Sequence, residues 1–298
     1  MVLTIAKKAK SAARRVRDKV RDAFFSEEHV TIIRPSKGWR MLDLRELWAY
    51  RELLWVLALR DIKVRYKQTV LGCAWAVIQP FVAMVIFSVI FGRWAKIPSE
   101  GYAYPVFVYA GLLPWTFFAS VLSGAGSSVV GSVNLITKVY FPRLIVPLAE
   151  VGAPFVDFLI ASGIMFLLML YYGVGWHWQL LALPLLLFAT IFTALGVGTL
   201  LSALVVAYRD FRFIIPFLLQ VWMYATPIVY PVGIVPGHWR WVLYLNPMAG
   251  IIDGFRSAFF GKPFNLDVLG LSFCASVVVF LIGVMYFEQV ERRFADVI

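Results

Sequence analysis

Six apolar stretches, each about long enough to cross a bilayer, fill most of the chain beyond residue 71. They run from Gly72 to Phe91, Tyr104 to Val130, Leu144 to Tyr172, Leu180 to Ala207, Phe213 to Tyr230 and Leu266 to Phe287. About 20 apolar residues in a helix cover the ~30 Å hydrocarbon core, and a lone segment in lipid must pair its own backbone groups. The pattern therefore predicts an all-α integral membrane protein with six transmembrane helices. Composition agrees, since 61% hydrophobic and 15% charged residues with a mean hydropathy of +0.79 depart from the roughly 25% charged residues of soluble domains.

Basic residues orient the spans. Residues 1–71 hold 17 of the 28 Lys and Arg, and loops expected on the same side add Lys138, Arg143, Arg209, Arg212, Arg292 and Arg293. The other side keeps Arg93, Lys96, Arg240, Arg256 and Lys262. The positive-inside rule then places both termini in the cytoplasm. The first span follows some seventy polar and charged residues and carries no small-residue cleavage site, so no cleavable signal peptide is read. The net charge of +11 sits beside a membrane whose anionic headgroups are the nearest countercharge, which argues against nucleic acid as a partner. Cys73 and Cys274 both fall inside spans and read as small apolar fillers.

Two domains follow: a basic, interfacial region over 1–71 and a six-helix transmembrane region over 72–298. In the first, Ala9, Ala13, Val16, Val20 and Phe24 recur at helical spacing among Lys and Arg, which describes either a helix on an anionic surface or a solvated tail. A second amphipathic segment, Asp43 to Leu59, carries Leu44, Leu47, Trp48, Leu54, Trp55 and Ala58 on one stripe. Helical phasing puts Arg51 within that stripe, either snorkelling to the interface or meeting a phosphate at substrate entry.

The inner loop at 131–143 is short, amphipathic and closed by Pro142, which ends helical pairing. Between Pro231 and Pro263 lie two semi-apolar pieces, Pro236 to Leu245 and Pro247 to Phe260, with Asn246 and Pro247 as N-cap and first-turn proline. The longer reaches ~21 Å, short of the membrane thickness, and predicts a re-entrant gate. On span five Phe213, Phe217, Gln220 and Tyr224 share a face, and on span one Gly72, Trp75, Gln79 and Ala83 do. Such stripes either pack in a core or line a pore where a sugar slides past aromatic rings and amides. Glu150 and Asp157 share one face of span three, and intramembrane acids are functional candidates; Glu150 lies near the cytoplasmic end, where interfacial solvation makes it cheap, while the deeper Asp157 is either a structural anchor between helices or a proton site.

The chain has no GxxxxGK[ST] phosphate loop, for Gly261-Lys262 runs into Pro263 and lacks the upstream glycine. His29, His177 and His238 are scattered without an acidic neighbour pattern, so no catalytic or metal site is expected. An integral-membrane glycosyl or acyl transferase is the alternative of another class.

The stretch from Leu59 to Gly72, LRDIKVRYKQTVLG, with Trp75 and Gln79-Pro80, resembles the start of permease subunits of polysaccharide ABC exporters, the Wzm/TagG-like family. The segments AGLLPW (110–115), NLITKVYFPR (134–143), YRDFR (208–212), LNPM (245–248) and GFR (254–256) agree in order, over roughly residues 45 to 298. The resemblance implies a homodimer in the bacterial inner membrane exporting a lipid-linked polysaccharide, with the pore at the dimer axis. It implies two separate nucleotide-binding subunits that carry ATP and Mg, this chain binding no cofactor. The 131–143 loop would be the coupling helix, with Asn134, Lys138, Tyr140, Phe141 and Arg143 as contacts. A related permease for a drug or lipid is the nearer alternative.

Overall fold

The structure, a computed structural model, describes residues 44–67 and 74–297, with side chains from Arg45 to Glu291. The basic segment from Ile5 to Phe24, Gly72 and Cys73 lie outside the described residues. Every regular element among the described residues is helical.

The amphipathic segment and the basic run after it form two helices, α1 (Leu44–Ala49) and α2 (Arg51–Lys67), rather than one ending at Leu59. Of α2 it is Leu57 that is fully buried, while Trp48 and Trp55 stay exposed. The first span, α3 (Ala74–Phe87), contains Pro80 and widens into a π-helical segment, Ser88–Trp94. Next come α4 (Tyr104–Gly131), the single turn α5 (Val133–Ile136), and α6 (Ile145–Ala149), which leads into α7 (Gly152–Tyr171). A 3-10 turn, Trp178–Ala182, opens α8 (Leu183–Ala207), and α9 (Phe211–Ala225) follows. After a 3-10 turn at Val232–Ile234, α10 (Gly237–Tyr244) and α11 (Pro247–Phe260) precede the long last helix, α12 (Leu266–Val297).

Five helical segments are long and apolar enough to cross a membrane: Ala74–Trp94, Tyr104–Gly131, Ile145–Tyr171, Trp178–Ala207 and Leu266–Glu291. The fifth apolar stretch differs from expectation. Its helix has 15 residues and reaches only ~22 Å, because Thr226 turns to extended backbone (φ −103°, ψ 139°) ahead of Pro227, as proline demands of its predecessor.

The centre of the bundle is α4, whose buried residues run from Val106 to Val129. It packs with α7 and α8, while α8 pairs closely with α12. Small residues permit that approach: a Cβ on Gly196 would lie 2.6 Å from the backbone N and Cα of Phe280. Thr193 Oγ1 also donates to Ser276 Oγ at 2.7 Å across the same seam. One core cluster surrounds Val106–Ala125, Met165, Ile251 and Phe255. A second, at the 131–143 end of α4, joins Leu57, Val129, Phe141, Ile145, Val284 and Phe287.

Candidate functional site

The loop at 131–143 divides into a surface and an anchor. Asn134, Lys138 and Tyr140 are exposed, standing on the turn that begins where Leu135 and Ile136 N–H donate to Ser132 O. The Tyr140 hydroxyl is held above its usual range by partial burial and then by the negative charges of Glu46 and Glu291. Phe141 departs from the expected docking surface, and Arg143 is half-buried beside it. Phe141 is 4% exposed in the second core cluster, the apolar ring having folded under the turn. Arg143 N–H donates to Glu291 Oε1 at 3.1 Å, and its guanidinium donates to Glu291 O and pairs with the same carboxylate at 3.9 Å. Both side chains hold the loop onto the bundle instead of presenting it.

Beside this loop α2 crosses α7. Asp157 accepts from Tyr66 Oη at 2.5 Å and pairs with Arg65 at 2.9 Å, so the carboxylate ties the interfacial helix to the third apolar span. Glu150 lies in the field of Arg60, Asp61 and Arg65, its carboxylate against Gly124 of α4. Arg51 is exposed and folds back, donating to Trp48 O at 3.2 Å with its guanidinium 5.6 Å from the Trp48 ring centre.

The stripe on α9 is open. Phe213 is 77% exposed, Phe217 67% and Tyr224 57%, and Gln220 is exposed between them, whereas Ile215 on the opposite face is buried in the core. Trp75 and Gln79 on α3 are likewise exposed. Packing within one copy of the chain does not account for either stripe.

At the other end of α4, Asn246 ties α9 to α11. Its Oδ1 accepts from Met248 N–H at 3.1 Å as the α11 cap and from Trp222 Nε1 at 2.9 Å. Its Nδ2 donates to Thr226 Oγ1 at 2.9 Å. Pro247 is buried. The two pieces of this region have opposite environments: α11 is buried along nearly all its length, and α10 has no buried residue. Between α9 and α10 lies a cleft of about 340 Å³ lined by Trp222, Tyr230, Trp239, Val242 and Asn246.

Arg256, counted from sequence among the charges of an outer loop, is instead 2% exposed. Its Nη2 donates to Ile228 O at 2.5 Å and its Nη1 to Tyr230 O at 3.3 Å, with the guanidinium 3.8 Å from the Phe107 ring centre. It satisfies the non-helical backbone that follows α9, which has no helical partner of its own. Nearby, Tyr102 Oη donates to Phe260 O at 2.9 Å, and Lys262 pairs with Glu100. Cys274, within the last apolar helix, is a free thiol on the outer face of α12.

Sequence reasoning did not single out Glu291, Tyr66, Trp222 and Thr226. The spacing of Phe287 and Glu291, one helical turn apart, was the available signal for the first; the others depend on tertiary contact alone. Among the described residues no three His, Cys, Asp or Glu side chains gather as a metal site.

Residues 52–260 match the profile of the ABC-2 type transporter family. The chain is 28% identical over 251 residues to the O-antigen export system permease protein RfbA of Klebsiella pneumoniae, covering 83% of this chain and 95% of that protein. It is 29% identical over 259 residues to the protein of the same name from Myxococcus xanthus, covering 85% and 98%. The polysialic acid transport protein KpsM of Escherichia coli is 25% identical over 246 residues, covering 79% and 92%.

Proposed function

This chain belongs to the ABC-2 type transporter family, and we propose that it is the permease subunit of an ABC exporter that moves a lipid-linked, O-antigen-like polysaccharide across the bacterial inner membrane. The names of its relatives supply the substrate class. The observation that carries the mechanism is the pair of exposed stripes on α3 and α9, each mixing aromatic rings with an amide. Two copies facing each other across these stripes enclose a path on which sugar C–H faces slide over Trp75, Phe213, Phe217 and Tyr224 while Gln79 and Gln220 exchange hydrogen bonds with hydroxyls. No single contact is strong enough to stall the polymer.

In this reading α9 is the sixth membrane span, with both termini in the cytoplasm. Its 15 residues do not cover the hydrocarbon, and the non-helical turn at 226–230 completes the crossing. Non-helical backbone at that depth is tolerated where protein covers it, which is what Arg256 and Asn246 provide. The pair α10–α11 then enters from the outer face and returns as a re-entrant gate, with Asn246-Pro247 at its bend. Arg51, exposed at the membrane boundary, meets the phosphate of the lipid carrier as it enters.

ATP and Mg are bound by two separate nucleotide-binding subunits. The turn at 133–140 docks on them through Asn134, Lys138 and Tyr140, and Phe141 and Arg143 pass the push inward.

The test is co-purification with the candidate ATPase subunit and reconstitution with lipid-linked polysaccharide. Lys138→Glu with Tyr140→Ala is expected to abolish both complex formation and polysaccharide movement while the permease remains folded. A native chain that binds no ATPase, or a complex that moves a drug or free lipid but no polysaccharide, overturns this reading.

A further inference from the structure

One face of α12 touches both ends of the bundle. Ser272, Ser276, Phe280, Val284, Phe287 and Glu291 follow at intervals of three or four residues, the spacing of a single helical face. At one end of that face Ser272, fully buried, lies so close to Gly250 of α11 that a Cβ on Gly250 would collide with its side chain. In the middle, Thr193 reaches Ser276 and Gly196 meets the Phe280 backbone. At the far end Phe287, also fully buried, shares the core cluster of Phe141, and Glu291 holds Arg143 through its carboxylate and its carbonyl. Ser272 and Glu291 are ~28 Å apart along the helix, close to the thickness of the hydrocarbon core.

We propose that α12 carries movement of the 131–143 loop to α11, with Glu291 as the positioning residue that grips the loop and the Ser272–Gly250 contact as the outer bearing. The geometry fits joint movement. The loop's backbone N–H, a cationic side chain and a buried ring all attach to α12, so the loop cannot shift without taking the end of that helix along. A helix paired to α8 through glycine and hydroxyl contacts can slide or tilt as a rod, and α11 sits against its other end. The α9–α11 connection through Asn246 and Arg256 then hands the displacement to the pore helix. The inference rests on the reading of this chain as a permease driven by a separate ATPase.

The test uses the full complex with its ATPase subunit in proteoliposomes, Cys73 and Cys274 replaced by serine, and Trp239→Cys on the exposed helix α10 as reporter. Its reaction with a membrane-impermeant maleimide is followed with and without ATP and Mg. In the parent complex the labelling rate is expected to respond to ATP. With Glu291→Gln, which removes the charge pair but leaves the carbonyl bond and the ring packing, the complex should form and hydrolyse ATP, while the labelling response and the polysaccharide moved per ATP should both fall by about fivefold. Glu291→Asp should regain part of both.

If Glu291→Gln keeps the labelling response and native transport per ATP, the α12 link is wrong while the permease reading stands. If the native chain binds no ATPase, the permease reading fails and this inference with it. Should Glu291→Gln fail to assemble, Arg143→Cys with Glu291→Cys takes its place: a cross-linked permease that still exports supports joint movement, and one that is blocked refutes it.

Discussion

Two apolar segments of this protein, both long enough to cross a membrane, have opposite fates. Most residues of α4 are buried inside the bundle, whereas few of α3 and its π-helical extension are, although the latter segment is the more hydrophobic of the two. In water such a difference would be penalised, but lipid is as apolar as a leucine side chain and supplies no hydrophobic force between helices. What places α4 at the centre is therefore shape and hydrogen bonding rather than greasiness. Its Gly111, Ala125 and Gly126 admit close neighbours, and its Tyr109 hydroxyl donates to Ala161 O at 3.1 Å on α7. By contrast, α3 presents Trp75, Phe81 and Val85 outward, and its π-helical extension presents Ile90, a surface left for lipid or a second copy.

That contrast makes predictions about where substitutions act. The largest effect is expected at the helix seams. Gly196→Val puts side-chain atoms into the Phe280 backbone, which cannot rotate aside as a side chain can, so the cost should exceed the usual overpacking range of about 1–3 kcal/mol. The expected result is loss of monodisperse protein after detergent extraction.

Arg256→Met comes next. It leaves the Ile228 and Tyr230 carbonyls without their donor, at about 1–3 kcal/mol for each buried group left unpaired. Thermal unfolding in detergent should show a clear loss of stability, and proteolysis should open the chain near 226–235. Asn246→Ala removes a helix cap worth about 1 kcal/mol together with the Trp222 and Thr226 hydrogen bonds, so a smaller shift in the same direction is expected.

The smallest effect on stability is expected on the open face. Phe217→Ala and Gln220→Ala should change unfolding by no more than about 0.5 kcal/mol yet lower polysaccharide transport. Equal loss of stability at Phe217 and Arg256 would erase the distinction between a packed and an open face on which the proposed path depends.

Much of this was legible in the sequence. Apolar length identified the long helices, and the pieces at 236–245 and 247–260 were marked by Asn246-Pro247 at the start of α11 and by Gly261, which adopts the left-handed conformation (φ +66°) that ends it. The early end of α9 was also written locally, in Thr226-Pro227, but hydropathy ran through it because Ile228 and Val229 continue the apolar stretch.

Other features were not local. Tyr140 and Phe141 are adjacent aromatics in a loop without periodicity, and only the cluster around Phe287 decides which is buried. The charge of Arg256 reads as a loop residue until the carbonyls released by the broken helix are seen to require it. Asp157 read from its depth as a helix anchor or a proton site, and its partners Arg65 and Tyr66 lie about ninety residues away, in a helix that sequence placed on the surface.

The most direct measurement places a photoreactive phenylalanine analogue at Phe217 on α9 and, separately, at Leu167 on the exposed face of α7, then illuminates the ATP-driven complex while it exports radiolabelled lipid-linked polysaccharide. The account predicts capture of polymer at Phe217, increased by ATP, with Leu167 capturing lipid alone. Polymer captured equally at both positions, or at neither during active export, would contradict a path built from the open faces of α3 and α9.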